Sequence, residues 1–91
     1  MADVTVTRSA EGDPMRFDVA VHEGDATTEY AVSLSEADLE RLGAGRSPEA
    51  FVGDCFAFLL ERESKESILR SFDVSAIGRY FPEFEDEIAE R

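Results

Sequence analysis

With 91 residues, 21 of them acidic and 9 basic, the chain has a formal net charge of −12. That length predicts one domain over residues 1–91, with room for a single hydrophobic core and none for a substrate domain beside it. The charge argues against nucleic acid as a partner, because phosphate binding needs clustered cations and none cluster here. One cysteine, Cys55, excludes an internal disulfide.

In chain order, the apolar residues first alternate and then recur at helical spacing, with the change of period at Ser35. Val4 and Val6, then Phe17, Val19 and Val21, then Tyr30, Val32 and Leu34 each point to one side of an extended segment, since strand side chains alternate faces. The intervening stretches, Ala10-Glu11-Gly12-Asp13-Pro14 and Glu23-Gly24-Asp25-Ala26, are short and rich in turn formers. Connections this short join antiparallel neighbours, which predicts a three-stranded antiparallel meander within residues 3–34.

Helices are predicted within residues 35–90. Ser35 is placed as an N-cap with Asp38 three residues on and Leu34 and Leu39 as a hydrophobic staple; Gly43 and Gly45 bracket the end of that helix. Ser47-Pro48-Glu49 opens a second helix with a cap, a proline at the first position and an acid near the positive end of the dipole. Its run Phe51, Val52, Cys55, Phe56, Phe58, Leu59 and Leu60 covers more than one face, which predicts a central helix covered from two sides. The pairs Glu61 with Lys65 and Glu66 with Arg70 favour continued helix, whereas Ser64 offers the cap of a new one. Asp73 can cap a further helix that Pro82 must end or kink, and a last turn or two from Pro82 to about Ala89 carries Phe84 and Ile88 on one side.

The sequence therefore predicts an α+β domain: a three-stranded antiparallel β-meander followed by three to four helices packed on its one apolar face. Met1-Ala2-Asp3 lacks the basic and apolar regions of a signal peptide, and no apolar run approaches the roughly 20 residues that span a bilayer, so a cytoplasmic location without membrane contact is expected. The acidic composition fits either an ordinary soluble protein or one adapted to high salt.

The sequence carries few of the residue patterns that chemistry needs. One histidine, no CxxC, no HExxH, no glycine-rich phosphate loop and no GxSxG leave no predicted catalytic residue, no cofactor and no metal site. His22 falls on the polar face of the second strand beside a turn, without a nucleophile in any recognisable pattern around it. Glu83, Glu85, Asp86, Glu87 and Glu90 form the densest acidic group, which lacks the turn glycine of a calcium loop and reads as a solvated helix face. Cys55 reads as packed core.

Two features remain as candidate contact surfaces. Tyr80, Phe81 and Phe84 place three aromatics around Pro82 near the C-terminal end of the chain, to close the core or anchor a partner. Asp54 is the one charge inside the apolar second helix, beside a stripe of small residues, Ala50, Gly53 and Ala57; packing of that stripe on the domain's own sheet competes with a partner groove, with Asp54 at its edge reaching water or a helix N-terminus.

The strings Phe58-Leu59-Leu60-Glu61-Arg62-Glu63-Ser64-Lys65-Glu66-Ser67-Ile68-Leu69, Phe72-Asp73 and Tyr80-Phe81-Pro82-Glu83 resemble a family of small bacterial proteins with no assigned function. The resemblance implies a bacterial, cytoplasmic, single-domain protein and carries over no active-site residue. The expected function is a non-enzymatic protein-interaction or regulatory module, binding a protein partner or forming a homodimer. The alternatives are an acidic structural or antitoxin-like protein docking a basic partner, and a small enzyme using carboxylates, which two acids converging in a deep pocket would favour.

Overall fold

The computed structural model describes residues 3–91. Strands β1 (Asp3–Ala10), β2 (Met15–Glu23) and β3 (Ala26–Leu34) form the expected antiparallel meander, with Val6 opposite Val19 and Val19 opposite Tyr30. Gly24, at φ +62°, opens the two-residue loop that lets Glu23 pair directly with Ala26. The alternation sorts the side chains as predicted. Phe17, Val19, Val21, Tyr30, Val32 and Leu34 are buried, while Thr5 and Asp18 on the other face are exposed and Ser33 is half-buried. Val4 and Val6 point to the same side as the core but are half-buried, because β1 lies at the edge of the sheet.

The sheet is larger than the sequence predicts and is mixed. A fourth strand, β4 (Ser71–Asp73), pairs parallel with β3, Val32 opposite Phe72, giving the order β1-β2-β3-β4. Parallel neighbours need a long crossover, and the chain supplies one between Leu34 and Ser71 that carries two helices across the apolar face. Three residues contain too little alternation to announce a strand; β4 exists because Ala31 N donates to Arg70 O at 2.8 Å and Ser33 Oγ donates to Asp73 Oδ1 at 2.6 Å.

Both predicted caps form. Asp38 N donates to Ser35 Oγ at 3.1 Å at the start of α1 (Glu36–Leu42), and Ala50 N donates to Ser47 Oγ at 3.2 Å at the start of α2 (Pro48–Arg62). In α2, Phe56 and Phe58 are two residues apart and so about 200° apart around the axis. Phe56 packs on Tyr30 and Phe72, with ring centroids 5.1 and 5.9 Å away, and Phe58 packs on Phe84 and Phe81 at 5.1 and 5.9 Å. The helix is thus covered by the sheet on one side and by the C-terminal segment on the other.

The helix does not continue past Arg62. Glu63 is extended, and a 3-10 turn over Lys65–Ser67 begins after Ser64, whose hydroxyl does not cap it. Neither helical ion pair suggested by spacing forms: Glu61 accepts instead from Arg62 and Arg91, Lys65 is buried with its Nζ 4.0 Å from Glu23, and Glu66 and Arg70 are not paired with each other. Tyr30 OH donates to the Lys65 carbonyl at 2.6 Å, a bond that holds the chain against β3 where a continuing helix would lead it away. Asp73 does cap, accepting from Ser75 N at 3.0 Å ahead of a 3-10 turn (Val74–Ala76) and α3 (Ile77–Tyr80). Pro82 separates α3 from α4 (Phe84–Ala89), and Phe84 and Ile88 are both buried.

Gly53 approaches β1, but a methyl added there lies 3.9 Å from Val6 Cγ2, an ordinary contact, so close approach does not require glycine at this position. Gly53→Ala should therefore raise stability by up to about 1 kcal/mol through helix propensity alone. Phe56→Ala, emptying a site between two aromatic rings, should lower it by about 3 to 5 kcal/mol. Urea melts of both variants measure the two shifts.

Candidate functional site

Proline at 82 sends the three C-terminal aromatics in different directions. Phe81 ends α3 in an extended conformation, φ −129° and ψ 91°, as the residue before proline prefers. Phe84 lies in the core against Phe58, with planes at 70°; Phe81 is half-buried, edge-on to the same ring at 80°; Tyr80 is 69% exposed. Tyr80 and Phe81 share a groove, and Phe84 does not line it.

That groove has a volume of about 140 Å³ and lies between the end of α2, the 3-10 turn and α3. Leu59, Ile68 and Phe72 are among its apolar lining, Glu63 and Ser67 are its polar members, and Leu69 and Tyr80 stand in it with 54% and 69% of their surfaces exposed. Leu69 was not singled out by the sequence. In Ile68-Leu69 one side chain is turned in and the other out, and only the direction of the chain between the turn and β4 decides which.

Asp54 belongs to a different construction. Its Oδ2 accepts from Arg46 Nη1 at 2.8 Å, and it is partly open to water. Arg46, 15% exposed at its side chain, also donates to the carbonyls of Gly43 at 2.8 Å, Leu42 at 3.2 Å and Ile88 at 2.6 Å, with its guanidinium 5.4 Å from the Phe51 ring. One planar group with five N–H donors thereby satisfies the carbonyl ends of α1 and α4 and pins both to α2. Asp54 neutralises that clamp. Of the small residues beside it, Ala50 and Ala57 are exposed and Gly53 is half-buried.

The C-terminal acids are partly spoken for. Arg62 lies 3.7 Å over the Phe58 ring and donates to Glu83 at 3.2 Å and Glu87 at 2.7 Å, while Arg41 donates to Glu85 at 2.8 Å. Among the described residues no group of three or more His, Cys, Asp or Glu side chains is arranged to hold a metal ion. His22 Nδ1 lies 3.0 Å from Thr27 Oγ1 on the exposed face of the sheet. A second depression, of about 250 Å³, lies on that face and is lined by Ser9, Arg16, Ser33, Ser71 and Asp73. Burial alone raises the Asp73 pKa, but the hydrogen bonds from Ser33 and Ser75 outweigh it and hold the carboxyl below its ordinary value. Each of the two depressions has one carboxylate among its lining residues, Glu63 in the groove and Asp73 on the sheet.

Among the described residues no helix is long and apolar enough to cross a membrane. Comparison with protein-family models, with curated proteins and with solved structures found no match.

Burial pushes the Cys55 thiol well up from its ordinary value, and the side chain is 1% exposed. Native protein should react with a thiol reagent only as fast as it unfolds, whereas urea-unfolded protein reacts at once; rapid labelling under native conditions contradicts this placement.

The arginine-bound carboxylates set the response to acid. Glu83 is lowered by its own backbone N–H and then by Arg62, Glu85 by Arg41, Glu61 by Arg91 and Glu49 by Arg8. A carboxylate with a depressed folded pKa stabilises fully above its unfolded value and loses that contribution as pH falls through the folded one. The urea midpoint should hold from neutral pH down to about 4.5, the unfolded glutamate value, and fall below it. A midpoint that is flat or rising from pH 4.5 to the acid limit contradicts the ion-pair assignment.

Proposed function

We propose that the chain is a non-enzymatic protein-interaction or regulatory module, and that the groove between α2, the 3-10 turn and α3 receives an apolar side chain of a protein partner. One observation carries this reading: the two large hydrophobic side chains most exposed to solvent among the described residues, Leu69 and Tyr80, line the same depression. Scattered apolar residues on a surface need no explanation, but two that converge on an apolar concavity have the form of an interface core. Tyrosine suits the edge of such a site, presenting a large apolar ring and a hydroxyl that stays wet.

The partner's complementary surface is basic. The net charge of −12 favours cations around the apolar anchor, and it supports a second reading of the same kind, an acidic structural or antitoxin-like protein docking a basic partner. The two readings differ in salt dependence. An anchor-dominated complex keeps most of its affinity at high salt, whereas charge-dominated docking loses it steeply. A cytoplasmic, bacterial setting, as the resemblance to small bacterial proteins implies, belongs to the same proposal.

Paired substitutions test it. Tyr80→Ser combined with Leu69→Ser should change stability by less than about 1 kcal/mol, since both side chains are largely exposed, and should abolish capture of the partner that wild type retains. Phe84→Ser, by contrast, should destabilise by about 3 to 5 kcal/mol through loss of a buried ring. An identical set of captured proteins with wild type and with the groove variant, quantified by mass spectrometry, overturns the assignment.

A further inference from the structure

The sheet has two different edges. β4 covers β3 over Ala31–Ser33, but β1 is unpaired along its whole outer side among the described residues. Which backbone groups face outward follows from the hairpin. Glu23 and Ala26 flank a two-residue loop and form a hydrogen-bonded pair, and such pairs alternate along an antiparallel ladder. The odd-numbered residues of β2 therefore bond to β3, and His22, Ala20 and Asp18 bond to their β1 partners Asp3, Thr5 and Thr7. This leaves the N–H and C=O groups of Val4, Val6 and Arg8 pointing away from the sheet. The same alternation turns Ala31 away from β2, and its N–H is indeed the one that donates to Arg70 O.

Natural edge strands are blunted by proline, lysine, inward charges or bulges. Between Asp3 and Thr7 this one has none of these; Arg8 is a charge on the core-facing side, tied to Glu49 of α2, and the ladder becomes irregular between Arg8 and Ala10. Residues 4–10 contain no carboxylate in a chain that has 21, and Arg8, their only charge, is bonded by Glu49 at 2.9 and 3.0 Å and by Glu11 at 3.5 Å. Small uncharged side chains continue onto α2, where Gly53 lies next to Val6 and the exposed Ala50 and Ala57 sit one turn to either side. For two molecules that each carry −12, a strand whose residues 4–10 bring no carboxylate lessens the repulsion of approach along this edge.

We propose that β1 is a homodimerisation edge, pairing antiparallel with β1 of a second copy about a two-fold axis at Val6 so that the two sheets become one. That register uses all three outward-facing residues of each strand, with Val6 opposite Val6 and Val4 opposite Arg8. On the polar face it sets Thr5 opposite Thr7, a favourable cross-strand pair. An isologous contact of this kind closes on itself and leaves no further edge of the same type.

Sedimentation velocity on the intact chain tests the proposal. A 10.1 kDa chain should move as a species of twice that mass at about 100 μM, since modest interfaces of this kind bind in the micromolar range. Thr5→Glu with Thr7→Glu places like charges opposite one another and should give monomer, whereas Thr5→Lys with Thr7→Glu places opposite charges there and should retain the dimer. Val6→Pro removes an outward N–H that the ladder does not use and should give a folded monomer, with circular dichroism confirming the fold. A wild type that stays monomeric at that concentration overturns the proposal. So does a dimer that survives both the double glutamate and Val6→Pro, or one lost only on Tyr80→Ser, which would move self-association to the groove. Monomer from both double-threonine variants overturns the register with the axis at Val6.

Discussion

A helix that is apolar around most of its circumference cannot be covered by one layer, and the rest of the fold answers that requirement for α2. Phe56 needs the sheet and Phe58 needs something on the opposite side. The sheet supplies a single apolar face, so the second cover has to come from the C-terminal third of the chain. Phe84, Ile88 and the half-buried Phe81 provide it. The short elements α3 and α4 have four and six residues and would not hold as isolated helices; packing on α2 keeps them in place.

Arginine secures this second layer. Arg46 gathers the carbonyl ends of α1 and α4 with one guanidinium and balances its charge on Asp54; Arg62 lies on Phe58 and draws in Glu83 and Glu87. A lysine could satisfy neither constellation, because both depend on a planar fork that donates in several directions while stacking on a ring. The acidic excess is therefore unevenly distributed in its effects. Some carboxylates hold the C-terminal layer in place, and the remainder give the surface its repulsive field.

Against that field, two uncharged or apolar places stand out: the groove holding Leu69 and Tyr80, and the outer edge of β1. They lie on different elements and offer different physics, a pocket for a side chain in one case and a row of backbone donors and acceptors in the other. The groove is possible because α2 stops at Arg62. Had the chain run on as helix, the turn that turns Leu69 outward and brings β4 against β3 would not exist.

Much of this was legible in the sequence because it is governed by neighbours a few residues apart. The alternation of Phe17, Val19 and Val21 fixes which strand face is buried, the hydroxyls of Ser35 and Ser47 and the carboxylate of Asp73 reach backbone N–H groups within three positions, and Pro82 breaks a helix wherever it stands in one. The double covering of α2 was also visible, as an apolar run wider than one face. Tertiary structure decided what depends on partners far along the chain. Residues 71–73 are too few to show a period and became a strand only because β3 offered an unpaired side. Lys65 had an acidic neighbour at helical spacing yet turned inward once Tyr30 took its carbonyl. Asp54 found its cation in Arg46, whose other bonds run to two helix ends that no spacing rule connects. Of three aromatics within five residues, the sequence marked the bend between them, but only packing on Phe58 determined that Phe84 is core, Phe81 half-covered and Tyr80 exposed, since burial is a property of the surface that a side chain meets.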